Sequence, residues 1–225
     1  MGRKLAVAWS GGKDSALALH RLIGSDEYEV ETLLTTITEG YDRISMHGVR
    51  TCLLERQAVS LGLKILKVFV PKECTNEMYE SRMRAAVEAL LSMGVSGMAF
   101  GDIFLEEVRR YRERSLSGTG IEPIFPLWKE DTAELAHRFV DLGFKAIVTC
   151  LDSEALDKSF VGRELDHRFL SDLPPSVDPC GENGEFHTYV YYGPMFQRRV
   201  LFDTGETVFR NKRFYFTDLL PRDTT

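Results

Sequence analysis

The sequence predicts an α/β fold: a doubly wound, five-stranded parallel sheet, with a smaller α+β part behind it. Three observations carry this. Five short apolar runs alternate with longer segments of helical spacing through the first 128 residues, the pattern of parallel strands joined by right-handed helical crossovers. A glycine-rich loop, SGGKDS, sits between the first strand and the first helix. Past Trp128 the texture changes to β-rich runs broken by turn residues, which suits a separate, smaller sheet.

KLAVAW (4–9) is short, apolar and β-compatible, the mark of a buried strand. Residues 15–23 carry helical spacing through Leu17, Leu19 and Leu22. VETLLTTI (30–37) reads as the second strand, 49–61 as a helix and LKILKVFV (63–70) as the third strand. Residues 76–93 are rich in Glu, Met, Ala and Leu, a helix that stops near Gly94. GMAFGDI (97–103) is the fourth strand with its end, 105–117 a charged helix, and IEPIFPLW (121–128) the fifth strand. Behind this boundary, Asp131 and Glu134 suit a helix cap. A helix to about Leu142, a strand FKAIVTCL (144–151), a short helix near 162–170 and a proline-rich break, DLPPSVDP, follow. FHTYVYY, QRRVLF, ETVFR and RFYFTDLL are β-rich. The expected division is 1–128 for a nucleotide domain and 129–225 for a second domain.

Composition narrows the function class. The chain has 225 residues, 44% hydrophobic and 28% charged, with a formal net charge of −6. That is a globular composition and gives no prior for a nucleic-acid surface. No apolar run approaches the ~18 residues of a membrane span, and MGRKLAVAWSGG lacks the pattern of a signal peptide. The four cysteines, Cys52, Cys74, Cys150 and Cys180, form no CxxC pair; free thiols in a reducing, cytoplasmic setting are expected.

A strand that runs through glycines into a helix gathers backbone N–H groups and a positive helix end, which together bind phosphate. The loop is not a Walker A motif, because Lys13 is followed by Asp14 and Val7 stands where that motif needs its first glycine. In a doubly wound sheet of order 3-2-1-4-5, the crevice opens between the first and fourth strands. SGGKDS ends the first. Gly101 and Asp102 end the fourth, where a carboxylate could face metal or nucleotide or simply be a polar strand end.

In the second half, CGENGEFHTYVYYGPMF (180–196) is the densest stretch. Strand alternation sends Glu185 and His187 to one face and Phe186 and Thr188 to the other. A carboxylate beside an imidazole could orient an amine, carry a proton or bind metal, or form a solvated face. LDKSFVGRELD (156–166) gathers Asp157, Lys158 and Arg163, and SMHGVR (45–50) offers His47 and Arg50.

SGGKDS resembles the PP-loop of the N-type ATP pyrophosphatases. The resemblance implies a Rossmann-like sheet of the adenine nucleotide alpha hydrolase kind, and ATP cleaved between its α and β phosphates. Gly11 and Gly12 would then hold phosphate through backbone N–H groups, and Ser10 and Ser15 through hydroxyls. Lys13 would neutralise the departing pyrophosphate, and Asp14 would face Mg²⁺ or cap the helix. SGGKDS, GDI, FPLW, LDKSFVGR and GENGEFHT…GPMF in this order resemble the diphthine–ammonia ligase family. That resemblance covers the chain from the first strand to about Phe196. It implies an ATP-dependent ligase that activates a carboxylate as an acyl-adenylate and amidates it with ammonium. The acceptor site would be lined by Glu182, Asn183, Glu185 and His187, with His47, Asp157, Lys158 and Arg163 as further substrate-binding candidates. Lys13, Asp14, Glu185 and His187 are the candidate catalytic residues. The expected cofactors are ATP and Mg²⁺. The expected partners are ammonium and a carboxylate, which in archaeal and eukaryotic members is diphthine on elongation factor 2. A homodimer is left open. The run TTITEGYDRISMHGVR resembles the bacterial branch, which implies a different acceptor. Two alternatives stand beside this reading: a PP-loop tRNA-modifying enzyme, disfavoured by the absence of paired cysteines and a basic surface, and a non-catalytic nucleotide-binding module.

Overall fold

The computed structural model describes residues 2–40, 43–44 and 48–222. Five parallel strands form the first sheet in the order β4-β2-β1-β5-β6: β1 (Arg3–Ala8), β2 (Tyr28–Thr38), β4 (Lys64–Val70), β5 (Gly97–Ala99) and β6 (Glu122–Ile124). A two-residue strand, β3 (Arg43–Ile44), pairs antiparallel with the end of β2. Helices α1 (Lys13–Ile23), α2 (Thr51–Leu61), α3 (Asn76–Ser92) and α4 (Glu106–Leu116) connect these strands. This is the expected five-stranded parallel sheet, in the order 3-2-1-4-5 that places the crevice between the first and fourth parallel strands. The chain adds β2 and β4 on one side of β1, then crosses back to place β5 on the other.

Side-chain alternation explains why both faces need helices. Leu5 and Val7 of β1 and Leu33 of β2 enter one apolar core, while Ala6, Leu34 and Met98 enter another with Ala86, Val87 and Leu90 of α3. A parallel sheet buried on both sides reads as a continuous apolar run for this reason. The helix ends follow local chemistry. Gly62 closes α2 in the left-handed region at φ 69°. The Thr75 hydroxyl accepts from the Met78 N–H to start α3.

The second sheet is antiparallel, in the order β8-β7-β10-β9. Its strands are β7 (Lys145–Asp152), β8 (Phe186–Tyr192), β9 (Phe202–Arg210) and β10 (Phe214–Pro221), accompanied by α5 (Thr132–Asp141) and α6 (His167–Asp172). Asp131 caps α5 as its sequence indicates, accepting from the Glu134 N–H at 2.9 Å. Two details differ from expectation. The helix expected near 162–170 begins only at His167, where Asp166 caps it. Before it, Arg163 and Leu165 bond along β7, so the backbone there is extended. QRRVLF is not a strand up to Leu201, and β9 starts at Phe202. The first core does not stop at the sheet boundary. It runs from Leu5, Val7, Leu17 and Leu53 through Leu135 and Phe139 to Val148, Tyr189 and Val190.

Candidate functional site

A cleft of about 940 Å³ opens at the carboxyl ends of β1, β2 and β5, the position where the winding of a doubly wound sheet reverses. Ser10, Lys13, Asp14 and Ser15 line its floor. Tyr79, Met83 and Val87 of α3 and Tyr111, Arg112 and Ser115 of α4 form its walls, with Leu34, Met98 and Phe100 below. Gly181, Glu182, Gly184, Phe186, His187 and Thr188 close the far side. The phosphate-type loop and the GENGEFHT stretch, which stand about 170 residues apart in the chain, therefore face one space.

The floor is built from short-range polar contacts. Gly12 is the N-cap of α1, with no side-chain cap. Its N–H meets Ser10 Oγ at 3.2 Å, and Ser15 Oγ donates to its carbonyl at 2.9 Å. Lys13 is 3% exposed, its Nζ 2.9 Å from Asp14 Oδ2 and 5.3 Å from the centre of the Phe186 ring. Burial opposes the charge on Lys13, but Asp14, Cys180 and Glu182 outweigh it and hold its pKa above the ordinary value. Burial likewise pushes Asp14 upward against the pull of Lys13. Asp14 Oδ1 is buried and has no hydrogen-bond partner. Gly101 lets the end of β5 pass close to this turn: a Cβ there would lie 2.8 Å from the Asp14 carbonyl carbon. Asp102 pairs with Arg112 at 3.4 Å, and the Arg112 guanidinium covers the Phe100 ring.

Across the cleft, the 178–185 turn is held by its own carboxylates. Asp178 Oδ1 accepts from the N–H groups of Cys180 and Glu182. Glu185 is buried. Its Oε1 accepts from the Asp178 N–H and from Asn183 Nδ2, and its Oε2 has no partner. Glu185 and the exposed Asn183 thus brace the turn and are not among the cleft-lining residues. Glu182 reaches the other way, its Oε1 accepting from the N–H groups of Ile103 at 2.8 Å and Phe104 at 3.4 Å.

The comparisons with known proteins agree with this geometry. Residues 3–123 match the model of the diphthamide synthase N-terminal domain, and residues 131–218 match that of the diphthamide synthase C-terminal domain. The chain belongs to the diphthamide synthase family. Among similar proteins are the diphthine–ammonia ligases of Bos taurus and Homo sapiens, each 23% identical, over 91% of this chain and 85% of theirs. The diphthine–ammonia ligase of Schizosaccharomyces pombe is 24% identical over 88% of this chain and 36% of its own length.

In this diphthamide synthase family member, the LDKSFVGR residues stand outside the cleft lining. Asp157 caps a 3-10 turn by accepting from the Ser159 N–H. Lys158 covers the Tyr215 ring. Arg163 pairs with Asp172 at 2.7 Å and packs on Phe160 and Phe169. His47 lies outside the described residues; Arg50, nearby, joins Arg43 on Asp218 of β10. Two contributors escape sequence reasoning. Thr188 Oγ1 accepts from the Lys13 N–H at 3.1 Å, and Gln57, a single glutamine inside α2, touches the phosphate-type loop. Among the described residues no helix is long and apolar enough to cross a membrane, and no group of three His, Cys, Asp or Glu could hold a metal.

Glu182 gives a pH prediction. Burial pushes its carboxyl from the ordinary 4.5 up to about 7, against the Ile103 N–H, with the Asp14 charge adding to the rise. Between these two values the folded state holds more protons than the unfolded state. The Glu182 contribution to stability is then full below 4.5 and lost as pH rises through 7. Glu182→Gln carries no such proton. The melting temperature of the parent relative to this variant is expected to fall steadily from pH 4.5 to 7 and to level off above. A difference that stays constant with pH refutes the displaced carboxyl.

Proposed function

We infer that the chain is an ATP-dependent ligase of the diphthine–ammonia type: it activates a carboxylate as an acyl-adenylate, amidates it with ammonia, and releases AMP and pyrophosphate. The observation that carries this reading is the placement of SGGKDS and GENGEFHT on opposite sides of one cleft. The names of the similar proteins, diphthine–ammonia ligase, support it. Residues 1–128 serve as the ATP-binding domain and residues 129–225 carry the acceptor side. The acceptor that fits those names is diphthine, on elongation factor 2, with ammonium as the nitrogen source.

In the first step an acceptor carboxylate oxygen attacks the α phosphorus, and the bond to the bridging oxygen of the β phosphate breaks. Gly12, Ser10 and Ser15 hold phosphate oxygens, and Lys13 offsets the charge that gathers on pyrophosphate. In the second step ammonia attacks the acyl carbon and AMP departs. Glu182 and His187 line the cleft on the side assigned here to the acceptor, and either can accept the proton that the new amide nitrogen sheds. Asp14 is the residue that would hold Mg²⁺: its buried Oδ1, without a hydrogen-bond partner, would offer the hard oxygen ligand this ion takes beside phosphates. When bound, the ion would lower the charge on the phosphates.

The products test the reading. With acceptor, ATP, Mg²⁺ and ¹⁵N-ammonium, chromatography is expected to show AMP and pyrophosphate, and mass spectrometry a ¹⁵N-labelled amide. ADP and phosphate as the sole nucleotide products would overturn it. AMP release without label in any product would favour a different acceptor chemistry on the same loop.

A further inference from the structure

We propose that Gln57 is a positioning residue that, with strand β8, sets the Gly11–Gly12 peptide of the phosphate loop. The proposal rests on the reading of SGGKDS as the site of the ATP phosphates. Gln57 is fully buried on α2, an unusual place for a primary amide unless every polar atom is used. Its Oε1 accepts from Trp9 Nε1 at 2.9 Å. Its Nε2 donates to the Gly11 carbonyl at 3.0 Å and to the Val190 carbonyl at 2.5 Å. The Val190 N–H donates to the same Gly11 carbonyl at 2.8 Å. Two donors therefore converge on one loop oxygen.

That oxygen cannot turn without losing both bonds. A trans peptide is planar, so its C=O and N–H point opposite ways. Holding the Gly11 oxygen against β8 and Gln57 aims the Gly12 N–H away from them, back into the loop, where it meets Ser10 Oγ at 3.2 Å. Gly11 itself sits at φ +78°, and a Cβ there would lie 2.8 Å from Gln57 Oε1. Only glycine gives both the backbone angle and the room for the amide. The Lys13 N–H is held from the same strand by Thr188. Strand β8 begins where the GENGE turn ends, so one strand fixes the phosphate loop and carries the acceptor-side residues Phe186, His187 and Thr188.

The test uses the full chain. Gln57→Leu removes all three bonds. Gln57→Glu keeps the shape and the bond from Trp9, but it offers the two carbonyls a donor only while protonated, and a buried glutamic acid titrates near about pH 8–9. Calorimetry with Mg-pyrophosphate and with adenosine, the melting temperature and the rate of AMP formation are read for each. Gln57→Leu is expected to weaken pyrophosphate binding and slow turnover by about tenfold or more, with adenosine affinity within about twofold. For Gln57→Glu, pyrophosphate affinity relative to the parent is expected to fall about tenfold between pH 6 and 9. If Gln57→Leu does not fold, this pH profile alone decides. A lower melting temperature with unchanged pyrophosphate affinity, or a flat profile, overturns the proposal. Lys13→Ala separates the two layers. If it weakens pyrophosphate binding while neither Gln57 variant does, the clamp alone falls. If it leaves binding untouched, the phosphate loop itself has been misplaced and both fall.

Discussion

Lys13→Ala is expected to lower AMP formation by about 10²-fold or more, the scale on which one charge donor to a transition state acts. At 25 °C that loss corresponds to about 2.7 kcal/mol of barrier. The side chain is 3% exposed and held between the Asp14 carboxylate and the Phe186 ring. A charge fixed in so dry a setting needs no reorganisation when pyrophosphate leaves. Truncation also strands Asp14, whose pKa burial already raises, next to an empty volume. Some loss of stability therefore accompanies the loss of rate, and the melting temperature must be measured on the same preparation. Labelled ATP and thin-layer separation of AMP provide the rate. Undiminished turnover in a folded variant would move the phosphate site elsewhere.

Gly101→Ala is the second large effect, and its origin is steric. The added methyl would sit 2.8 Å from the Asp14 carbonyl carbon and 3.0 Å from both the Asp14 oxygen and the Ser15 nitrogen. All three neighbours are backbone atoms at the start of α1, so no rotamer change relieves the contact. Either the segment after β5 or the first turn of α1 must shift. Overpacking of this kind destabilises by about 1–3 kcal/mol, and a displaced first turn shifts the loop residues proposed to hold phosphate. ATP affinity is expected to fall at least about tenfold, since misplacement by about 1 Å has costs on that scale. Calorimetry with ATP and a thermal melt check both parts. Parent-like values for the two would mean that the sheet absorbs the methyl without disturbing α1.

Much of this was legible in the chain because the signals are local. Strand, loop and helix around SGGKDS are contiguous, and the parallel sheet follows from alternation of strand and helix, whereas the strand order entered only as an assumption. FHTYVYY coincides with β8 residue for residue. What could not be read depends on contacts between distant residues. Gln57 sits in an unremarkable helical stretch, LERQAVS, and acquires its surroundings only when Val190 and Gly11 are brought to it. Glu185 and His187 alternate as a strand would have them, but Glu185 precedes the first residue of β8 and turns into the loop. Arg163 stands in a polar cluster in sequence, whereas folding stacks it on Phe160 and Phe169. The extended backbone before α6 has little signal in residues 163–166; it comes from the part of β7 at 146–148, ahead of where β10 pairs with Cys150–Asp152, with which Arg163 and Leu165 bond.

The unbroken apolar core that joins the two sheets has a mechanical consequence. Leu135, Phe139, Val148 and Tyr189 share one packed interior with Leu5, Val7 and Leu53. Rotating one half against the other would tear that interior open, and densely packed interiors resist such shear. The seam between the halves is therefore a weld and not a hinge. Opening and shutting of the cleft falls to side chains and to the two walls supplied by α3 and α4, while floor and far side keep a fixed separation.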